Sequence, residues 1–398
     1  MTASWEQYED FDPADWTGGA PLPAAPPVPI EPLLDAPQLG HEVTLYRTDG
    51  MTRDEWLAAR RQLRSVGASA VAGVLQVSPY ASPLQVWAEV TGRYERAVDD
   101  SEIDRMLVGT ACEPEVRIIA ANRLGVGLCS VETGAALVGT GISFLCPWPW
   151  VVQHPQHKCL TASLDAIACV GGELCVVELK TAGWRQRDGW ESYRMHGTIE
   201  SIMGTSVLAY YTQVQAQLAV TGLRRGYLVG VVGEEAAAWM LTTILMRRRD
   251  GEEARPLALR EGDVFVFQID RDEEVIEVIE TVVPRFYERF VVRDEMPPAI
   301  DKRNELELLR ELFVEAHPDT CPRVDQVGEA ARRYAAVTTA AGLMEKSKAA
   351  EKVALQEQLT RLGVAAFIAR DAEGFDWRIE NRVNRFGSRT MTVRRAKE

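Results

Sequence analysis

The stretch from Leu160 to Trp184 constrains the fold more than any other part of the chain. It reads LTASLDAIACVGGELCVVELKTAGW, in which two runs of apolar and small residues flank Gly171-Gly172. Such runs on either side of a Gly-Gly pair predict two antiparallel strands joined by a tight turn. The chain is therefore expected to contain a β-sheet that includes this hairpin.

Three ionisable residues stand at the far ends of the predicted hairpin: Asp165 on the first strand, and Glu178 and Lys180 on the second. Because strand side chains alternate between faces, Glu178 and Lys180 project from one face, whereas Val177 and Leu179 project from the other. The turn brings Asp165 near Glu178. We therefore expect the three ionisable groups to converge at one end of two adjacent strands.

Two close carboxylates repel each other and resist burial unless a cation joins them. Mg²⁺ suits a few carboxylates plus waters, and a bound metal ion lowers the pKa of its water. Lys180 would then orient or deprotonate that water, or offset the charge of a phosphate. A Glu-x-Lys sequence also arises by chance, and on these residues alone a simple ion pair at the end of a surface strand is the favoured interpretation.

Composition narrows the class of protein. The 398 residues are 46% hydrophobic and 26% charged, values typical of a soluble globular protein. No run of about 18 apolar residues predicts a membrane span, and the acidic N-terminus does not resemble a signal peptide. Seven scattered cysteines do not form a secreted disulfide framework, so we expect a cytoplasmic protein. The net charge of -14 excludes a generally basic protein that coats nucleic acid, but it allows local basic patches.

The order of the patterns predicts three regions. Residues 1–45 are acidic and rich in Pro, which predicts a disordered tail. Residues 52–298 read as helices, then three or four strands, then a helix and further strands, and so predict an α/β domain. Residues 299–398 read mostly as helix and end in a basic β-hairpin.

Three further features accompany the hairpin. The sequence GTACEPEVR places Glu113 on a helix ahead of the strands, and YYTQVQAQ places Gln213 and Gln217 on one helical face. Arginines precede Gly67-Ala68-Ser69, a helix start that can bind phosphate; they are Arg60, Arg61 and Arg64. Taken singly, each feature has a simpler explanation. Glu113 can be a charge near a helix N-terminus, the two glutamines an exposed polar face, and the arginines a solvated patch. All of them together, in this order, are harder to explain in that way.

In this order the motifs resemble the YqaJ-like viral recombinase, or phage lambda exonuclease-like, family of the PD-(D/E)xK nuclease superfamily. The resemblance covers residues 52–298 and rests on the whole series. After the arginine-rich helix come Gly-x-Ser, Ser-Pro-Tyr, Gly-Thr-x-x-Glu-Pro, an Asp strand, Glu-x-Lys and Tyr-Tyr-x-Gln-Val-Gln. It implies a restriction-endonuclease-like mixed β-sheet flanked by helices, followed by a mainly helical C-terminal extension.

The resemblance also implies roles for particular residues. The acidic metal ligands would be Glu113, Asp165 and Glu178, together with the backbone carbonyl of Leu179. Lys180 would be the catalytic lysine. Gln213 would support this lysine or the substrate. Arg61 and Ser69 would hold a 5′ phosphate of DNA.

Two departures from the family pattern concern these roles. Leu164-Asp165-Ala166 replaces the usual Pro-Asp-Gly, so the turn around the acid can differ. The connection from Arg61 to Ser69 is slightly longer than in the family, so Arg60 or Arg64 can take the phosphate role instead.

By the same resemblance, the activity would be a Mg²⁺-dependent hydrolysis of linear duplex DNA from the 5′ end, with Mn²⁺ able to substitute. The product would be a 3′ single strand for phage-type recombination in the bacterial cytoplasm. A single-strand annealing protein is an expected partner, and a ring-shaped trimer is the implied homo-oligomer. An endonuclease on the same core and a non-catalytic DNA- or protein-binding module stay open as alternatives. An iron–sulfur nuclease is set aside because only Cys321 follows Cys175.

The predicted C-terminal hairpin carries the densest positive charge in the chain. Residues 377–398 hold seven bases and two acids. Two explanations are open: the hairpin contacts DNA phosphates outside the catalytic site, or it packs against an acidic surface of the same protein or the acidic segment 1–45.

Overall fold

The computed structural model describes residues 39–48, 50–51, 53–94, 100–233, 261–300, 305, 308–309, 312, 328–362, 364–383 and 389–396. Contacts divide the chain into two units, with the boundary between Glu315 and Ala316. The predicted limits, 1–45, 52–298 and 299–398, stay predictions. Among the described residues, no helix has the length and apolar character needed to cross a membrane.

The first unit alternates helices and strands along the chain. Its strands are β1 (Thr44–Tyr46), β2 (Val66–Gly67), β3 (Gly127–Leu128), β4 (Phe144–Pro147), β5 (Val151–Gln153), β6 (Leu160–Ser163), β7 (Ala166–Val170), β8 (Glu173–Ala182), β9 (Arg225–Val232) and β10 (Val264–Asp270). Its helices are α1 (Arg53–Leu63), α2 (Ala68–Val74), α3 (Pro83–Val90), α4 (Asp100–Leu124), α5 (Val131–Leu137), α6 (Arg187–His196), α7 (Ser206–Thr221) and α8 (Glu273–Phe286), which continues into a π-helical turn, Tyr287–Val292.

The strands form two sheets, one of four strands in the order β1-β5-β6-β2 and one of six in the order β10-β9-β8-β7-β4-β3. The predicted hairpin is β7 and β8, which pair antiparallel around Gly171-Gly172, and both glycines have positive φ. β8 also pairs with β9 in parallel, and α6 and α7 lie between them in the chain. The predicted α/β class, with a mixed sheet flanked by helices, is confirmed.

The two faces of β8 belong to different layers. Val177 and Leu179 pack in a core cluster with Cys112 and Val116 of α4. Val176 packs in the larger cluster on the opposite face, which includes most of the buried side chains of α7. Because β8 alternates, Glu178 and Lys180 face the α7 layer.

Three sequence predictions differ from the structure. The predicted strand CLTASLDAIACV is broken at Leu164-Asp165, so β6 and β7 belong to different sheets. The predicted strand VGLCSVET contains β3 and then α5, because the Ser130 side chain caps that helix by accepting a hydrogen bond from the Thr133 amide. Strand β1 begins within the last two residues of the region predicted as a tail, where it pairs with β5 and buries Leu45 in the core. The strand predicted for AAWMLTTILMRRR lies outside the described residues.

The second unit contains a long helix and a small sheet. These are α9 (Gly328–Leu362), β11 (Ala366–Arg370), β12 (Asp376–Val383) and β13 (Arg389–Arg395), and the strands form an antiparallel sheet in this order. β12 and β13 are the two arms of the predicted basic hairpin. β11 was not predicted, because its sequence was included in the helical region.

Candidate active site

Asp165 lies in the break between β6 and β7, at the point where the chain passes from one sheet to the other. Its side chain is half-buried, and its Oδ2 accepts a hydrogen bond from the Leu179 amide at 2.8 Å. This contact fixes Asp165 against β8, directly beside the strand position of Glu178. The predicted proximity of the two carboxylates is therefore present in the fold.

Glu178 is almost completely buried, with 1% of its surface exposed, and side-chain donors surround its carboxylate. Oε1 contacts the Lys180 ammonium and accepts a hydrogen bond from Gln213 Nε2 at 2.7 Å. Oε2 accepts one from Gln217 Nε2 at 2.5 Å. Lys180 itself lies with Nζ 5.2 Å from the centre of the Tyr210 ring. Strand β8 and helix α7 thus build this part of the site together.

The pKa values of Asp165 and Lys180 are shifted because the ionisable groups of this site lie close together and are buried. Burial first, and the charge of Glu178 second, raise the pKa of Asp165 to about 8, although Lys180 and the Leu179 amide act in the opposite direction. Burial alone would lower the pKa of Lys180, but the charges of Glu178 and Asp165 raise it overall. Lys180 is therefore held as an ammonium ion between two acids, which suits it to offsetting negative charge.

Glu113 approaches from the opposite layer. It is half-buried on α4, the helix that packs on the Leu179 face of the sheet, and its charge adds to the rise in the pKa of Asp165. Its carboxylate forms an ion pair with Arg117, one turn further along the helix. The structure therefore brings Glu113 into the electrostatic range of Asp165, with its side chain turned to Arg117.

The predicted phosphate-binding residues lie on the first two helices. Arg61 is in α1, but its side chain lies outside the described residues. Ser69 is the second residue of α2 and is exposed. Arg64 is exposed between α1 and β2 and has a φ of 43°, a left-handed conformation that is uncommon for a residue other than glycine. The 5′-phosphate pocket stays a prediction.

The sequence of the first unit matches a known family. Residues 55–224 match the model of the YqaJ-like viral recombinase domain. The matched range includes Asp165, Glu178, Lys180 and both α7 glutamines.

One curated relative and two solved structures illustrate the likeness. The uncharacterized protein YqaJ of Bacillus subtilis (strain 168) is 23% identical over 197 residues, which are 49% of this chain and 51% of that protein; the chain thus spans about half the length of this relative. An alkaline exonuclease, LHK-Exo from Laribacter hongkongensis, is 22% identical, with a TM-score of 0.37, over 65% of this chain and 96% of that one. A phage related exonuclease from Haemophilus somnus 129PT is 11% identical, with a TM-score of 0.28, over 58% and 96%.

Within the matched residues, Gln217 is the contributor to the site that the assignment of roles from sequence missed. The i, i+4 spacing of Gln213 and Gln217 was visible, but only Gln213 matched a family position. The Gln217 amide bridges the Ser163 carbonyl oxygen, at 3.5 Å, and Glu178, at 2.5 Å. It therefore ties the end of β6, just before Asp165, to the strand that carries Glu178.

The oxygen donors of this site can be compared with those that a metal ion requires. Among the described residues, no group of three or more His, Cys, Asp or Glu side chains is arranged as a ready metal cluster. Asp165 and Glu178 nevertheless fit a hard divalent ion, because they are oxygen donors whose mutual repulsion contributes to the raised pKa of Asp165. Glu113 can join them if it leaves Arg117, and such an i, i+4 ion pair is worth only about 0.3–0.5 kcal/mol.

Proposed function

We propose that the protein is a metal-dependent deoxyribonuclease that degrades linear duplex DNA from the 5′ end. The observation that carries the proposal is the placement of Lys180 against Glu178, with Asp165 held beside them by the Leu179 amide. The YqaJ-like domain supports a role in recombination, for which a nuclease that exposes a 3′ strand is suited. The site of action would be the bacterial cytoplasm, with a single-strand annealing protein as partner and a ring-shaped trimer as the assembly.

The reaction would be hydrolysis of a phosphodiester. A water molecule gives up a proton as its oxygen forms a bond to phosphorus, one ester P–O bond breaks, and the departing oxygen takes up a proton. A Mg²⁺ ion held by Asp165 and Glu178, with Glu113 and the Leu179 carbonyl, would supply charge stabilisation and a more acidic water. Lys180, as an ammonium ion, would offset the charge that builds up on the phosphate oxygens. Gln213, which donates to Glu178 Oε1, would hold that carboxylate in its contact with Lys180.

The test is a time course on linear duplex DNA that carries a label at either the 5′ or the 3′ end. With Mg²⁺ or Mn²⁺, we expect early release of the 5′ label as a short product while the 3′-labelled strand persists. With EDTA, both labels should stay in full-length strands. Release of the 3′ label first would contradict the proposed direction.

A circular plasmid separates the two alternatives from this proposal. An exonuclease leaves a covalently closed circle intact, whereas an endonuclease on the same core nicks or linearises it. A non-catalytic binding module would leave both linear and circular DNA whole in Mg²⁺. Fold alone does not decide which phosphodiester is cut, so this comparison is required.

A further inference from the structure

Two exposed aromatic side chains lie beside the candidate site, and the proposed hydrolysis does not use them. Trp184 is 57% exposed and follows β8 directly, in a 3₁₀ turn that spans Trp184–Gln186. Tyr80 is 43% exposed, in the Ser78-Pro79-Tyr80 segment ahead of α3. Large apolar rings in water are unfavourable, so two of them next to one site need an explanation.

Gln186 lies in the same turn as Trp184 and connects the Tyr80 ring to the site. Its Nε2 donates to the Tyr80 hydroxyl at 3.0 Å, and its Oε1 accepts from the Ser206 hydroxyl at 3.0 Å and from the Tyr210 hydroxyl at 3.3 Å. The Tyr210 ring in turn lies 5.2 Å from Lys180 Nζ. A continuous series of contacts therefore runs from Lys180 to Tyr80 through the turn that carries Trp184.

The backbone around each ring is also well defined. The Ser78 hydroxyl accepts hydrogen bonds from the Tyr80 amide at 3.0 Å and from the Ala81 amide at 3.1 Å. The turn at Trp184 is closed by a bond of 3.0 Å from the Gln186 amide to the Gly183 carbonyl. The Arg185 guanidinium carbon lies 6.0 Å from the centre of the Trp184 ring, so a cation accompanies that aromatic surface. The backbone that carries each ring is thus fixed and the Tyr80 hydroxyl is bonded to Gln186, while both rings stay exposed.

We propose that Trp184 and Tyr80 form a stacking surface for nucleobases of the DNA strand that is hydrolysed at the site containing Glu178 and Lys180. The inference rests on the proposed nuclease function and specifies its substrate. Bases inside a duplex have both faces covered by their neighbours, so aromatic side chains stack on bases that have left the helix. The preferred ligand is therefore a DNA end whose last nucleotides are unpaired, with Arg185 close to its phosphates.

The test measures equilibrium binding in EDTA, so that hydrolysis does not interfere. Fluorescein-labelled duplexes carry an abasic nucleotide at one of the first four positions of either strand, and their binding is followed by fluorescence anisotropy. For the wild-type protein, we expect at least one position where loss of the base weakens binding about tenfold, the scale of a single base–aromatic stack. Trp184→Ala should bind the intact duplex about tenfold more weakly and lose this sensitivity to the abasic position.

Matched variants separate stacking from general surface effects. Trp184→Phe keeps an aromatic face and should retain part of the abasic sensitivity, whereas Trp184→Leu keeps only apolar volume and should not. Met195→Ala removes another exposed apolar side chain, 74% exposed on α6, and should bind as the wild type does. Equal affinity and equal abasic sensitivity in wild type and Trp184→Ala would overturn the proposal.

The two proposals fail in different ways. A wild-type protein that shows the abasic effect in EDTA but releases no label in Mg²⁺ disproves the nuclease function and leaves the stacking surface standing. A wild-type protein that degrades DNA but binds abasic and intact ends equally disproves only the stacking surface.

Discussion

The Glu178 carboxylate is the most demanding group in the site, because a buried carboxylate without partners is strongly unfavourable. Lys180 and two side-chain amides stabilise it. Gln213 donates to Oε1 and Gln217 donates to Oε2. Asp165 has one backbone donor and faces the charge of Glu178, so its pKa is raised to about 8. The two acids thus have different surroundings, and substitutions at them should have different consequences.

We predict that Asp165→Asn abolishes hydrolysis and keeps the fold. The asparagine Oδ1 can still accept from the Leu179 amide, and the amide cannot ionise beside Glu178, whereas Asp165 does so above about pH 8. In EDTA the variant should therefore melt at or above the wild-type temperature, as measured by circular dichroism. Wild-type turnover of end-labelled DNA by this variant would disprove the assignment of Asp165 to the site. A drop in isothermal Mn²⁺ binding should accompany the loss of turnover.

We also predict that Gln217→Ala lowers the free energy of unfolding by about 1.5–3 kcal/mol, the range for hydrogen bonds to charged groups. The reason is that Oε2 of Glu178 loses its amide donor in a fully buried position. Gln213→Ala is the matched comparison. Oε1 keeps Lys180 in that variant, and Gln213 is only half-buried, so the loss should be smaller. Urea denaturation measures both, and an equal loss would contradict this account of Gln217.

At the scale of elements, the packing of α6 onto the large sheet holds the site in place. Trp190 of α6 is fully buried, and it lies against Gly230 of β9 and against Phe265 and Phe267 of β10. Gly230 is also the register partner of Lys180 on the neighbouring strand. A glycine is needed there because the indole ring occupies the space of a side chain.

We predict that Gly230→Ala destabilises the protein by about 1–3 kcal/mol, the usual cost of overpacking a core. The added Cβ would overlap two carbon atoms of the Trp190 ring, so the ring or the strand must move. Gly127→Ala in β3 is the control, since its Cβ would meet no atom within 4 Å. Thermal unfolding compares the Gly230→Ala and Gly127→Ala variants. Equal midpoints would show that α6 shifts to make room for the added methyl group at no cost in stability.

His154 follows β5 and connects that strand to α8. Its Nδ1 accepts from the backbone amides of Gln156 and His157, and its Nε2 lies 3.3 Å from Glu280 Oε1. Burial lowers the pKa of His154 from its ordinary value of 6.5, with smaller effects in the same direction from His157 and His41, while Glu280 acts in the opposite direction. The folded state therefore favours the neutral imidazole.

The lowered pKa of His154 makes the stability of the fold depend on pH. Below about pH 6.5 the unfolded chain binds a proton at His154 that the folded chain does not take up until lower pH, so stability falls as the pH falls. We predict a smaller decline between pH 7.5 and 5.5 for His154→Asn, whose side-chain oxygen can accept from the same backbone amides. Urea denaturation at both pH values is the measurement, and a decline as steep as that of the wild type would exclude His154 as its source.

At the scale of the whole molecule, an acidic chain of net charge -14 carries basic strands in its second unit. Part of the positive charge of these strands is already neutralised by carboxylates of the second unit. Arg378 and Arg394 share the buried Glu380, and Arg370 pairs with Asp376. The arginines are therefore placed partly by ion pairs within their own sheet, and fewer of them are available for DNA phosphates than the sequence count indicates.

We predict that a chain ending at Glu315 hydrolyses single phosphodiesters as the full chain does but binds DNA more weakly. For every DNA phosphate that the basic strands neutralise, their removal should make the salt dependence of binding shallower by about 0.9 in the log–log slope. Titrations at several salt concentrations measure this slope. The same slope and the same rate on long DNA for both chains would assign the basic strands a purely structural role.

The sequence by itself determined the β7–β8 hairpin, the common face of Glu178 and Lys180 and the proximity of Asp165. These features depend on a Gly-Gly turn and on strand alternation, which act over a few residues. Tertiary structure decided that β6 and β7 separate at Leu164-Asp165, that Gln217 bonds Glu178, and that Glu113 arrives from the opposite layer. Each of these depends on which distant elements pack together, and local sequence patterns do not contain that information.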